Sequence, residues 1–239
     1  MTDTSHTLII GGGSGMGLAL AARLLTAGHD VTIAGRSTAR LDTAATTLGG
    51  GNRLHRKQVD IADETSVRRL FADSPTLDHV VVTAADMSTG YGPLREFALA
   101  DARTVADIKI LGPWLVAKHA APLLTGSLTV TSGIAAYRPA VGGTMVATAN
   151  AALEGLVRAL ALELAPIRVN AVSPGWVDTP IWTQFAADAK DERLAAMAQR
   201  LPGGRVGRPD DIAAAFHAVM TNEFLTGTVL HVDGGHRLV

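Results

Sequence analysis

Residues 7–17 read Thr7-Leu8-Ile9-Ile10-Gly11-Gly12-Gly13-Ser14-Gly15-Met16-Gly17, an apolar run of strand length passing straight into a glycine loop. Residues 18–27 follow as a good helix former, and Val31-Thr32-Ile33-Ala34 as a second apolar run. Gly11, Gly15 and Gly17 lack a Cβ, so the backbone can turn sharply and let a diphosphate approach closely. The first amides of the helix would point at that anion. Glycines also make plain turns, but the setting between strand and helix favours a nucleotide site built from Gly11, Gly13, Ser14, Gly15, Met16 and Gly17.

Outward from this loop, short β-rich runs alternate with longer helical ones. Strands are expected at 7–10, 30–34, 53–59, 79–83, 127–131, 168–172 and 228–232. Helices are expected at 15–27, 38–48, 65–73, 101–124, 143–165 and 209–220. The strands read as continuously apolar, as when helices cover both faces of a sheet. The fold class is therefore α/β, a single doubly wound parallel sheet in one domain spanning 1–239. Residues 108–124 and 146–164 carry apolar and small residues on most sides. They bury more than one face either in the core or in a homo-oligomer interface.

The 239 residues suffice for one domain with a large core. A formal net charge of -1 gives no electrostatic case for nucleic acid or an anionic membrane. The absence of cysteine excludes disulfides, thiol catalysis and thiolate metal sites, and suits a reducing, cytoplasmic setting. The eight histidines show no paired metal-binding spacing, so no metal is expected. There is no basic-then-apolar leader, and no uncharged apolar run reaches the ~18 residues of a membrane span. The expected partner is a small-molecule substrate.

In dinucleotide folds an acidic residue ending the second strand holds the adenosine ribose hydroxyls. Here that position reads Ala34-Gly35-Arg36-Ser37, without a carboxylate. A guanidinium can instead grip a 2′-phosphate by two parallel charge-assisted hydrogen bonds, with Ser37 adding a hydroxyl. NADP(H) is thus expected over NAD(H), the alternative being that Arg36 is a solvated strand-end charge. Asp60-Ile61, after the third strand, is placed to accept an adenine amino proton and pack on the ring. Asp60 would serve equally as a helix N-cap.

Together these segments resemble the short-chain dehydrogenase/reductase family, from residue 7 to the C-terminus, which implies a Rossmann-like fold. Gly11, Gly15 and Gly17 match its cofactor fingerprint. Residues 168–175, Arg-Val-Asn-Ala-Val-Ser-Pro-Gly, resemble its sixth strand and the turn at Pro174 and Gly175 bordering the nicotinamide. The resemblance implies Val177 and Thr179 as further nicotinamide contacts, and Ala84 and Ala85 as backbone neighbours of the nicotinamide ribose. Gly207-Arg208-Pro209-Asp210-Asp211-Ile212-Ala213 and Thr226-Gly227 through Val232-Asp233-Gly234-Gly235 resemble its C-terminal segments. Residues 176–204, with Trp176, Trp182 and Phe185, stand where the family places a substrate lid. The aromatics imply an apolar or ring-bearing ligand, unless they only pin the lid to the body.

The family works with a Ser, a Tyr and a Lys, an Asn completing its proton relay. Ser132 fits the serine position. Val146 stands where the Tyr is expected, Asn150 where the Lys is, and Lys109 where the Asn is. Lys109 and Asn150 thus look like an exchange, in which Lys109 supplies the cation from the other helix and Asn150 bonds the ribose or the Lys109 ammonium. The alternative is drift, with Lys109 snorkelling outward. Tyr137 is the obvious replacement phenol, though loop tyrosines commonly just pack; Thr144, Thr148 and Asp86 are further donors, and Asp86 equally a solvent-facing carboxylate. The expected activity is hydride transfer to or from a carbonyl, imine or enone, the alternative being a cofactor-binding protein without redox turnover.

Overall fold

A computed structural model describes residues 4–86, 89–183 and 189–239. The strands are β1 His6–Ile10, β2 Asp30–Gly35, β3 Leu54–Gln58, β4 Leu77–Val82, β5 Leu124–Thr131, β6 Arg168–Pro174 and β7 Val229–Val232. They pair in parallel in the order β3-β2-β1-β4-β5-β6-β7. The helices are α1 Gly15–Thr26, α2 Thr38–Leu48, α3 Glu64–Ala72, α4 Leu99–Ala106, α5 Gly112–Ala120, α6 Thr144–Glu163, α7 Lys190–Arg200 and α8 Pro209–Thr221.

Successive side chains of a strand point to opposite faces, so a strand covered on both sides must be apolar throughout. Leu8 and Ile10 of β1 join Val80, Val82, Leu128 and Val130 in one core layer, with Val116 and Leu153 from the helices. Ile9 joins Ile33, Val81 and Val172 in the other, under Leu20, Leu24 and Phe216. Strand β3, Leu-His-Arg-Lys-Gln, departs furthest from apolarity, and its His55 and Arg56 are exposed. It is an edge strand, and charge there discourages pairing with another chain.

The helix expected over 101–124 is broken. α4 gives way to a π-helical turn, Asp107–Leu111, before α5, and Leu124 already belongs to β5. Pro113 has no N–H to carry the ladder forward, and Gly112 N–H reaches back to the Asp107 carbonyl instead. Helix α6 has the length and composition of a membrane span, yet Leu153, Val157 and Leu160 pack it into the core. Helix α7 escapes sequence reading because only Leu194 and Met197 of its eleven residues are buried, too narrow a stripe to mark a period.

Strand order reverses between β1 and β4. In doubly wound sheets a ligand crevice opens at that point.

Candidate cofactor cleft and active site

A cleft of about 400 Å³ opens where the order reverses. Its floor is the loop after β1, with Gly11, Gly13, Ser14, Gly15, Met16 and Gly17 all lining it. Gly11 has φ +95°, and a Cβ on it would lie 2.5 Å from Thr83 Oγ1. A Cβ on Gly17 would lie 2.5 Å from the Gly11 carbonyl oxygen. These two glycines let the start of α1 press against the turn, leaving the cleft open above it. Ser14 is the N-cap of α1 but its side chain makes no capping bond. The first amides of α1 therefore remain available, at the positive end of the helix dipole, to an anion in the cleft.

Arg36 and Ser37 line the cleft at the end of β2, and Ile61, Ala84 and Ala85 line it as well. Ser37 Oγ accepts from Arg40 N–H at 3.2 Å and so caps α2. Arg40 also lines the cleft, four residues after Arg36 and one helical turn into α2; this cation was missed in the sequence, where that spacing was its only signal. The Arg36 guanidinium donates from Nη2 to Asp86 Oδ2 at 2.7 Å. Asp86, partly exposed, is paired with the cation at the end of β2. Asp60 lies outside the cleft lining, its Oδ1 accepting the Ala62 N–H at 3.0 Å, while Asp63 caps α3.

The segment after β6 forms the opposite wall through Thr179, Pro180, Ile181 and Thr183. Gly175 packs on Asp233, where a Cβ would come within 2.7 Å of its Cα. Val177 is buried and bridged to Gly207, and neither it, Pro174 nor Gly175 lines this cleft. Trp182 Nε1 donates to the Val177 carbonyl at 2.7 Å, and its ring lies 4.5 Å from that of Trp176. Both tryptophans therefore tie the segment to itself and, through Trp176 and His236, to the C-terminus. Phe185 lies outside the described residues.

Four residues converge at the ends of β5 and α6. Lys109, on the π-turn, is 6% exposed, and its ammonium donates to the Thr131 carbonyl at 2.8 Å. Burial lowers its pKa from 10.5 to about 8. Thr131 is held by its own hydroxyl, which donates to the Val82 carbonyl at 2.7 Å. Ser132 Oγ donates to the Asn150 carbonyl at 3.0 Å. The Asn150 side chain is buried against Gly133, and its Oδ1 has no protein partner. Lys109 does not snorkel outward, and Asn150 Oδ1 does not take its proton. Lys109, Ser132 and Asn150 all lie outside the cleft lining, buried behind it. Val146 is buried in the same helix and offers no proton.

Tyr137 turns away from this group. Its hydroxyl donates to Glu154 Oε1, and its ring meets His231 edge-on at 4.7 Å. Burial and the Glu154 carboxylate push its pKa up to about 12.

This cleft, at the order reversal of a parallel sheet, belongs to a dinucleotide-binding α/β protein, and comparison makes the class specific. The family model described as enoyl-(acyl carrier protein) reductase matches residues 11–237. The chain belongs to the short-chain dehydrogenase/reductase family. It is 33% identical over 251 residues, covering 96% of this chain and 93% of the other, to the short-chain dehydrogenase/reductase malC of Malbranchea aurantiaca. It is 33% identical over 244 residues, 97% of this chain and 96% of the other, to cis-4-hydroxycyclohexanecarboxylate dehydrogenase of Sinomonas cyclohexanicum. The structure described as MalC reductase/Diels-Alderase superposes with a TM-score of 0.91 at 33% identity, covering 99% of this chain and 97% of that one. A small-chain dehydrogenase in complex with NADPH superposes with a TM-score of 0.82 at 33% identity, covering 99% of this chain and all of that one.

Proposed function

We propose that the protein is an NADP(H)-dependent oxidoreductase with a rearranged active site. It passes hydride between the nicotinamide and a small apolar or ring-bearing carbonyl, imine or enone. The observation that carries this reading is the cleft itself: uncapped α1 amides at its floor and Arg36 and Arg40 at its adenosine end. The NADPH complex of a relative supports the same cofactor. NADP(H) supplies the hydride; everything else falls to the chain.

Arg36 and Arg40 would hold the 2′-phosphate, and the α1 amides the diphosphate. Asn150 Oδ1 is left to accept from a ribose hydroxyl. Ser132 would present its hydroxyl to the substrate oxygen or nitrogen, and the Lys109 ammonium would supply the cation beside the nicotinamide ribose and stabilise negative charge developing on the substrate. Losing a positioned general acid costs roughly 10²–10⁴-fold in rate. Holding both reactants in place supplies ~7–11 kcal/mol independently. An iminium or activated alkene, which needs little protonation, tolerates the replacement by Val146 best. The wall at 176–204 would then cover the substrate.

A second reading, a binding protein or catalyst without redox turnover, has its support in the Val146 and Asn150 positions. A relative described as both reductase and Diels-Alderase shows that one such fold carries two chemistries. Incubation with NADPH and a panel of ketones, imines and enones, followed by loss of reduced-nicotinamide absorbance, separates the two. Oxidation of NADPH with an imine or enone supports the first reading; tight NADPH binding with no turnover on any member supports the second. For assembly we propose a homo-oligomer packed through α5 and α6, where Trp114 and Leu162 are exposed, with Leu111 of the preceding π-turn beside them.

A further inference from the structure

Asp86 stands in the loop leaving β4, Arg36 at the end of β2, and β1 lies between those strands. Two strand spacings separate β2 from β4, roughly 9–10 Å. The Arg36–Asp86 contact of 2.7 Å therefore joins the end of β2 to the loop leaving β4, with Arg36 in the cleft lining and Asp86 just outside it, next to Ala85. Ala84 and Ala85, immediately before Asp86, line the cleft on one side, and Arg36 lines it on the other. The Arg36 side chain is 54% exposed, that of Asp86 22%, so the carboxylate is the better sheltered half.

We propose that Asp86 is an internal anion occupying the 2′-phosphate subsite, and that a cofactor phosphate must displace it from Arg36. This rests on the reading of Arg36 as the phosphate ligand. Asp86 meets Arg36 through a single contact, Nη2 to Oδ2, and a phosphate monoester gripped by both guanidinium nitrogens needs that same Nη2 position. The carboxylate and the phosphate also repel each other, so a carboxylate displaced but still tethered beside the phosphate keeps weakening it. A cofactor without the 2′-phosphate offers Arg36 nothing in exchange and has no such repulsion to overcome. Asp86 thereby tunes how far the site favours phosphorylated over unphosphorylated adenosine.

The test is calorimetric binding of 2′,5′-ADP and of 5′-ADP to the full chain, to Asp86→Asn and to Asp86→Ala. Both variants should bind 2′,5′-ADP about three- to fivefold tighter, the range that an exposed ion pair commands, while 5′-ADP stays within about twofold. Unchanged 2′,5′-ADP affinity, or an equal gain for both nucleotides, overturns the proposal. Arg36→Ala separates the two layers of the argument. If it leaves 2′,5′-ADP binding intact, the phosphate reading of Arg36 fails and Asp86 falls with it. If it weakens binding but the Asp86 variants gain nothing, only the competing role of Asp86 fails.

Discussion

The Lys109 ammonium donates to the Thr131 carbonyl at 2.8 Å, which moors a buried cation one residue ahead of the Ser132 hydroxyl. A single hydrogen bond is little compensation for an ammonium taken out of water. Burial accordingly lowers the Lys109 pKa from 10.5 to about 8. In the folded chain Lys109 gives up its proton more readily than in the unfolded chain. Its burial therefore lowers stability in full below about pH 8, and the penalty is relieved as pH rises from about 8 towards 10.5. The gap between the two values corresponds to about 3 kcal/mol. Urea unfolding of the wild type and Lys109→Met across that window checks this: the difference between them, in favour of the variant, should shrink as pH rises. Parallel curves would contradict it. The same variant should bind NADPH about tenfold more weakly if the cation serves the ligand, the usual loss for a charged hydrogen bond.

Tyr137→Phe should retain turnover. The phenol is committed to Glu154, its pKa is raised to about 12, and its ring packs on His231. A group serving as general acid would cost roughly 10²-fold or more on removal, so a loss of that size in steady-state rate would make Tyr137 the missing donor after all.

Arg36→Ala should weaken NADPH by about tenfold or more while NADH changes little, because only the phosphorylated cofactor offers the guanidinium a charged partner. Titration of both cofactors decides it; equal losses would return Arg36 to an ordinary strand-end charge.

Which parts of this molecule sequence alone discloses follows from what each part depends on. The strand–loop–helix at residues 6–26 is legible because apolar continuity and glycine placement are local requirements of the backbone. All seven strands are visible in the same way, even polar β3, whose bounds sit inside the expected 53–59. The π-turn at Asp107–Leu111 is not, since it comes from a hydrogen-bond shift at Pro113 that leaves the apolar pattern intact. Site residues divide similarly. Gly11, Gly17 and Arg36 announce themselves by position beside a strand end. The Arg36–Asp86 pair does not, because it joins residues fifty apart whose strands are neighbours only through β1. The sequence raises an exchange of Lys109 and Asn150 as a proposal, but gives no sign that Asn150 Oδ1 is left without a protein partner.

That exchange can be tested as a unit. The π-turn carrying Lys109 packs against α6, which carries Asn150. Asn150→Lys alone would bring a second ammonium into a buried pocket that already holds one, where like charges cannot both ionise cheaply; loss of stability by several kcal/mol is expected. Lys109→Asn alone removes the cation, and NADPH affinity should fall about tenfold. The double variant Lys109→Asn/Asn150→Lys restores one cation and one amide to the same pocket, in the arrangement usual for the family. Its melting temperature should recover most of what Asn150→Lys loses, and its NADPH affinity should exceed that of Lys109→Asn. Expressed as a double-mutant cycle, the coupling should be at least about 1 kcal/mol. Additive losses would mean that the two side chains sit in separate environments, and that Lys109 is merely a buried lysine tolerated beside the Thr131 carbonyl.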